Sequence, residues 1–89
     1  MKIKKHFCLC CGYNTLTKKP PQSEEICEIC GWEDCVIQYL NPKSLSGLNP
    51  VSLEEAQQNF QDFGACCREM LREVRSVTST DSKDKNYGL

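Results

Sequence analysis

One motif, carried twice, limits what this chain can fold into more than any other feature. "CLCCGY" (Cys8 to Tyr13) and "CEICGW" (Cys27 to Trp32) both read Cys-x-x-Cys-Gly-aromatic. Aligning them pairs Cys8 with Cys27 and Cys11 with Cys30, and sets Cys10 opposite Ile29, outside the ligand set. Two sulfurs separated by two residues reach one ion from a tight turn. The glycine that follows suits the positive φ that closes that turn. The fifteen residues between the knuckles complete C-x2-C-x15-C-x2-C, a spacing suited to a four-cysteine zinc site.

Four filled sulfur positions leave no place for water or substrate. The expected cofactor is therefore one structural Zn2+, with iron able to occupy the same tetrahedral sulfur set, and no enzymatic activity is expected. A redox Cys-x-x-Cys normally occurs once, at a helix start in a βαβ unit, and neither condition holds here. His6 stands beside a basic run and reads as a solvated side chain rather than a substitute ligand. Four thiolates with Zn2+ add −2 to a formal chain charge of −1, so the metal-bound protein is anionic.

Eight cysteines in 89 residues fit either a secreted disulfide scaffold or an intracellular metal site. The N-terminal "MKIKKHFCLCCGYN" is basic but has no apolar run of signal-peptide length, and no stretch approaches a membrane span. The expected location is the cytoplasm, where thiols stay reduced, and this favours metal over disulfide. A domain this short also buries a modest fraction of its surface, so a metal cross-link suits it.

The expected fold is a small α+β metal-bound domain spanning residues 1–77, with 78–89 as a disordered tail. Its first part is a zinc ribbon of two knuckles and short antiparallel strands, within residues 1–19 and again at "VIQYL" (Val36 to Leu40). "KKPPQSEE" and "NPKSLSGLNP" read as turn and loop. Ser52 with Glu55 forms a capping box for a helix whose apolar positions run from Leu53 through Phe60, Phe63 and Cys67 to Val77. That phase survives Gly64, so one kinked helix or two short helices are expected, with Phe60 and Phe63 covering the ribbon. Arg68, Arg72 and Arg75 then fall on another face. Glu69 and Glu73 are interleaved with them, and local pairing is as natural there as an anionic partner.

Trp32 reads first as a core aromatic and second as a binding platform. Glu33 and Asp34 read as a solvated acidic face or, with Trp32, as a partner contact. Cys10, Cys35, Cys66 and Cys67 match no second ligand spacing and read as buried free thiols.

These motifs resemble the bacterial cysteine-rich CPCC family. The resemblance rests on "CLCCGYNTL", the proline-rich turn, "ICEICGWED" and "GLNPVSLEEAQQNFQDFGA", from Cys8 to Ala65. It implies a zinc-ribbon-like domain without an established enzymatic activity and, for some members, a role as immunity proteins beside toxins. Leu9 stands at the proline of the naming motif, and Glu28 where the second knuckle often has proline. Cys35 stands where an aspartate usually completes Trp-Glu-Asp-Asp, and Pro50 replaces a common glycine. None of these departures removes a ligand.

Two functions follow as expectations. One is a cytoplasmic zinc-stabilised protein-binding module, in the form of an inhibitor or immunity protein, touching its partner through Trp32, Glu33 and Asp34 or through Arg68, Arg72 and Arg75. The alternative is a nucleic-acid-binding zinc ribbon. Against it, the basic residues are split between Lys2–Lys5, Lys18–Lys19 and the arginines, facing twelve acids. No membrane partner is expected, and the oligomeric state is left open.

Overall fold

The computed structural model describes residues 6–87. Each knuckle sits at the tip of a short arm. In the first, His6 pairs antiparallel with Leu16, and Cys8 N–H donates to the Tyr13 carbonyl at 2.9 Å. In the second, Ile26 pairs with Glu33, and Cys27 N–H donates to the Trp32 carbonyl at 2.9 Å. The arms stay this short: among the described residues there are isolated bridges and no strand. The ribbon strands expected from the sequence are thus reduced to single pairings. The share of that expectation resting on residues 1–5, together with the Lys2–Lys5 run, lies outside the described residues.

Side chains do part of the work of strand pairing. Asn49 Oδ1 accepts from Glu33 N–H at 2.8 Å and Asn49 Nδ2 donates to the Glu33 carbonyl at 2.7 Å, so one amide occupies the edge a neighbouring strand would use. Glu25 accepts from Thr17 N–H, Thr17 Oγ1 and Lys18 N–H at 2.7–2.9 Å and ties the two arms together.

The segment "VIQYL", expected as a third strand, is instead helix α1 (Val36–Leu40). Its β-branched residues favour strand locally, and a long-range anchor overrides them. Gln38 is the one buried residue of α1. Its Nε2 donates to the carbonyls of Val51 and Ser44, and its Oε1 accepts from Asn49 Nδ2 at 3.0 Å. A strand would put Val36 and Leu40 on the same face as Gln38; the helix turns them away from it.

Helix α2 (Leu53–Phe63) begins as its sequence predicts: the Ser52 hydroxyl accepts from Glu55 N–H at 3.1 Å, with Glu54 and Glu55 in the first turn. It buries Leu53 and Ala56, and Phe60 packs against the metal-site core. It does not continue past Gly64. That residue adopts φ +90° and donates to the Phe60 carbonyl, a left-handed helix end. Ala65 to Cys67 are buried but not helical, and a 3-10 helix follows at Arg68–Arg72. Of the two expected forms, the kinked helix gives way to two short helices, the second of them 3-10, and the arginine stripe at α-helical spacing is corrected with it. A Cβ at Gly64 would meet nothing within 4 Å, so Gly64→Ala should lower stability through backbone strain alone, by about 1 kcal/mol. Urea unfolding reads this shift directly, and an unchanged midpoint would mean the helix end does not need the left-handed turn.

The expected disordered tail is also corrected over Thr78 to Tyr87. Asn14 N–H donates to the Ser82 carbonyl, Ser82 N–H to Asn14 Oδ1 and Asp84 N–H to the Gly12 carbonyl, all at 2.8–2.9 Å. Arg75 joins this strap to the second knuckle through Glu28 at 2.5 Å and Asp81 at 2.8 Å. Low apolar content misled the sequence reading, because the strap is held by backbone pairing and one aromatic ring. Gly88 and Leu89 lie outside the described residues.

Candidate metal centre

The duplicated turns bring their sulfurs to one point. The Sγ atoms of Cys8, Cys11, Cys27 and Cys30 all lie within 4.8 Å of one another, and all four residues are buried. Cys8 and Cys30 are 3.6 Å apart, as are Cys11 and Cys27. A tetrahedral ion with metal–sulfur bonds of about 2.3 Å needs sulfurs about 3.8 Å apart. The set therefore fits a metal ion such as zinc.

Both turns are built alike. Gly12 N–H donates to the Cys8 carbonyl and Gly31 N–H to the Cys27 carbonyl, each at 2.8 Å, and the two glycines have φ of +81° and +85°. Each glycine is also covered. A Cβ on Gly12 would lie 2.5 Å from the Tyr87 ring, and one on Gly31 would lie 2.8 Å from Met70. Tyr87 donates its hydroxyl to the Cys10 carbonyl, and its Oη is held protonated by burial, with a pKa pushed up to about 12. The ammonium of Lys83 stands over the rings of Tyr13 and Tyr87, which places a cation beside the first knuckle.

Donors reach the sulfurs from outside the ligand set. Thr15 Oγ1 donates to Cys27 Sγ at 2.9 Å, and Trp32 N–H points at Cys30 Sγ at 3.5 Å. Sequence reasoning passed over Thr15. Its signal was positional: in the repeat it stands opposite Asp34, the same number of residues past its knuckle. Hydrogen bonds from Cys11, Cys30 and Cys8, with Thr15 adding, hold Cys27 well below the ordinary thiol range. The other three are held above it: Cys8 through its bond with Cys11, Cys11 through that with Cys27, and Cys30 through that with Cys10, with burial adding to each. A bound cation must displace the protons that these thiols carry.

The other cysteines surround this centre without joining it. Cys10 is fully buried in the same cluster, and Cys66 N–H donates to the Cys30 carbonyl at 2.7 Å. Burial pushes the Cys66 thiol well up and keeps it protonated. Cys66 and Cys67 have their sulfurs 3.8 Å apart, and among the described residues no second cluster of metal-ligand geometry includes them.

A family model described as Cysteine-rich CPCC matches residues 6–81. The chain belongs to the cysteine-rich CPCC family. The match runs beyond Ala65, where the visible resemblance stops, and takes in Arg68, Arg72 and Arg75. Neither the curated proteins nor the solved structures returned a match.

In this CPCC chain the expected partner contacts are mostly elsewhere than on an open surface. Trp32 and Asp34 are each 1 % exposed. Trp32 lies in the core with the knuckle cysteines, its first reading. Asp34 Oδ2 accepts from Ser23 Oγ at 2.6 Å and Ser23 N–H at 3.0 Å, which fixes the turn between the arms. Glu33 is half-buried with its backbone held by Asn49. Of the arginines, Arg75 is engaged by Glu28 and Asp81, and Arg68 lies 4.5 Å over the Phe63 ring. Arg72 is exposed. Cys35, which stands in place of the family's aspartate, is buried beneath Gly47. No helix of the described residues is long and apolar enough to cross a membrane.

Proposed function

We propose that this CPCC chain is a zinc-stabilised protein-binding module whose metal is structural. The metal half of this reading rests on the closed geometry: four buried sulfurs would fill a tetrahedral ion and leave no position from which to activate water. Cys8, Cys11, Cys27 and Cys30 would hold it, and its contribution is to cross-link the two arms. The chain is accordingly read as a binder rather than an enzyme.

One observation carries the binding half. Helix α1 turns Val36, Ile37, Tyr39 and Leu40 to solvent while burying Gln38, the reverse of an ordinary surface helix. The contact therefore moves from the acidic knuckle to this apolar face. An inhibitor or immunity role is one form such binding takes, with a toxin as the partner. Nucleic-acid binding is less favoured, since Arg75 is committed to carboxylates and Arg68 and Lys83 stand over aromatic rings.

The test is affinity capture by the zinc-loaded protein from its own cell lysate, with nuclease present and absent. The expected result is a nuclease-resistant protein in stoichiometric amount, lost when Ile37 and Leu40 are both replaced by glutamate. Recovery that vanishes with nuclease would overturn the reading in favour of nucleic acid.

A further inference from the structure

Five large apolar residues are exposed on α1 and beside it. Val36, Ile37, Tyr39 and Leu40 occupy an arc of about 160° on α1, at 100° per residue. Leu48 comes from the following loop and lines a cleft of about 280 Å³ together with Val36 and Ile37. These five are 43–74 % exposed. With roughly 200 Å² for each large apolar residue, the exposed area is on the order of 500 Å², beyond what isolated surface side chains explain.

The charge pattern narrows the occupant. Between Asp34 and Glu54 the chain carries one charged residue, Lys43. Glu24 on the cleft rim supplies one charge of the opposite sign. Such a face offers little to steer a strongly basic or acidic partner. It is well suited to meet itself, because a two-fold interface sets the same patch against itself and a patch of one charge would repel. Two such faces would bury on the order of 1,000 Å², the lower bound for a specific protein interface.

We infer that the α1–loop face is a homodimer interface, its occupant a second copy of this chain packed about a two-fold axis. This deepens the protein-binding reading and rests on it. Leu40, near the centre of the arc and its most exposed residue, and Tyr39, the aromatic at its edge, supply the anchors. A second copy also protects a surface that would otherwise promote open-ended association.

Sedimentation equilibrium on the zinc-loaded full chain decides it. The expected mass is twice 10.1 kDa at concentrations of tens of micromolar and above. The variant carrying Ile37→Glu and Leu40→Glu should weaken association by at least about 100-fold and sediment as a monomer, since each copy buries two added charges. Its zinc content and circular dichroism should stay those of the parent, because both side chains point to solvent. A parent that remains monomeric to about 1 mM, or a dimer that persists undiminished in this variant, overturns the inference. The first of these outcomes leaves the broader reading standing wherever lysate capture still yields a nuclease-resistant partner of a different sequence. Failure of both experiments removes the protein-binding reading as well.

Discussion

Cys30→Ser is expected to yield a chain that neither holds stoichiometric metal nor folds. Serine at this position offers a hydroxyl that stays protonated at neutral pH, so the ion keeps three sulfurs and an open side. Apparent binding free energies of structural zinc run to about 10–16 kcal/mol, comparable with or larger than the whole stability of a small domain. Losing a large part of that leaves an 89-residue chain with a small core and, among the described residues, two short α-helices to offset the entropy of ordering it. Metal analysis and the dispersion of amide proton resonances would show the loss together. A natively folded, metal-free variant would refute the structural role of the ion. Cys10→Ala is the control, since Cys10 is just as buried but lies outside the tetrad: it should keep one ion per chain. Acid should lead to the same end state as Cys30→Ser. The metal-bound fold holds its four sulfurs as thiolates, whereas the unfolded chain binds protons on them. Stability therefore rises with pH and is lost on acidification. Because Cys8, Cys11 and Cys30 are held above the ordinary thiol range, their protons are displaced at neutral pH. Apparent metal affinity should then fall about tenfold per pH unit for each proton displaced.

Trp32→Ala is expected to destabilise the zinc-loaded protein by about 3–5 kcal/mol, the cost of emptying a large aromatic site in a core. The indole is 1 % exposed and shares its cluster with the four knuckle cysteines, Ile29 and Ala56. The cavity would therefore open directly beside the metal centre. Trp32→Phe should cost less. It keeps most of the apolar volume and removes the indole Nε1–H, which has no hydrogen-bond partner among the described residues. Denaturant unfolding with zinc in excess measures both variants. If Trp32→Ala kept the parent's stability and lost partner binding instead, the tryptophan would be a surface contact after all.

Several elements show how far local chemistry reached. The capping of α2 by Ser52 was legible because a helix start needs residues only three apart. Its end was harder. Gly64 was compatible with a kink or a stop, and the buried path of Ala65 to Cys67 depends on Cys66 meeting the Cys30 carbonyl, 36 positions earlier. The strand expected at Val36–Leu40 followed from β-branched composition, and nothing local showed that Gln38 would find its partners at Ser44, Asn49 and Val51. The tail was misread for a similar reason. Arg75, Ser82, Asp84 and Tyr87 make contacts across 47 to 77 positions, where composition says little.

By itself the sequence singled out the four cysteines that converge. Two Cys-x-x-Cys-Gly turns are short enough for covalent geometry to settle which sulfurs converge, and the duplication excluded Cys10. It also determined the membership of the chain in its family. The tertiary structure alone decided which side chains face solvent. Trp32 and Asp34 turned inward because the arms close over them, and α1 turned its apolar residues outward because one buried amide holds it in place. Burial is a property of how distant segments meet, and spacing along the chain does not carry it.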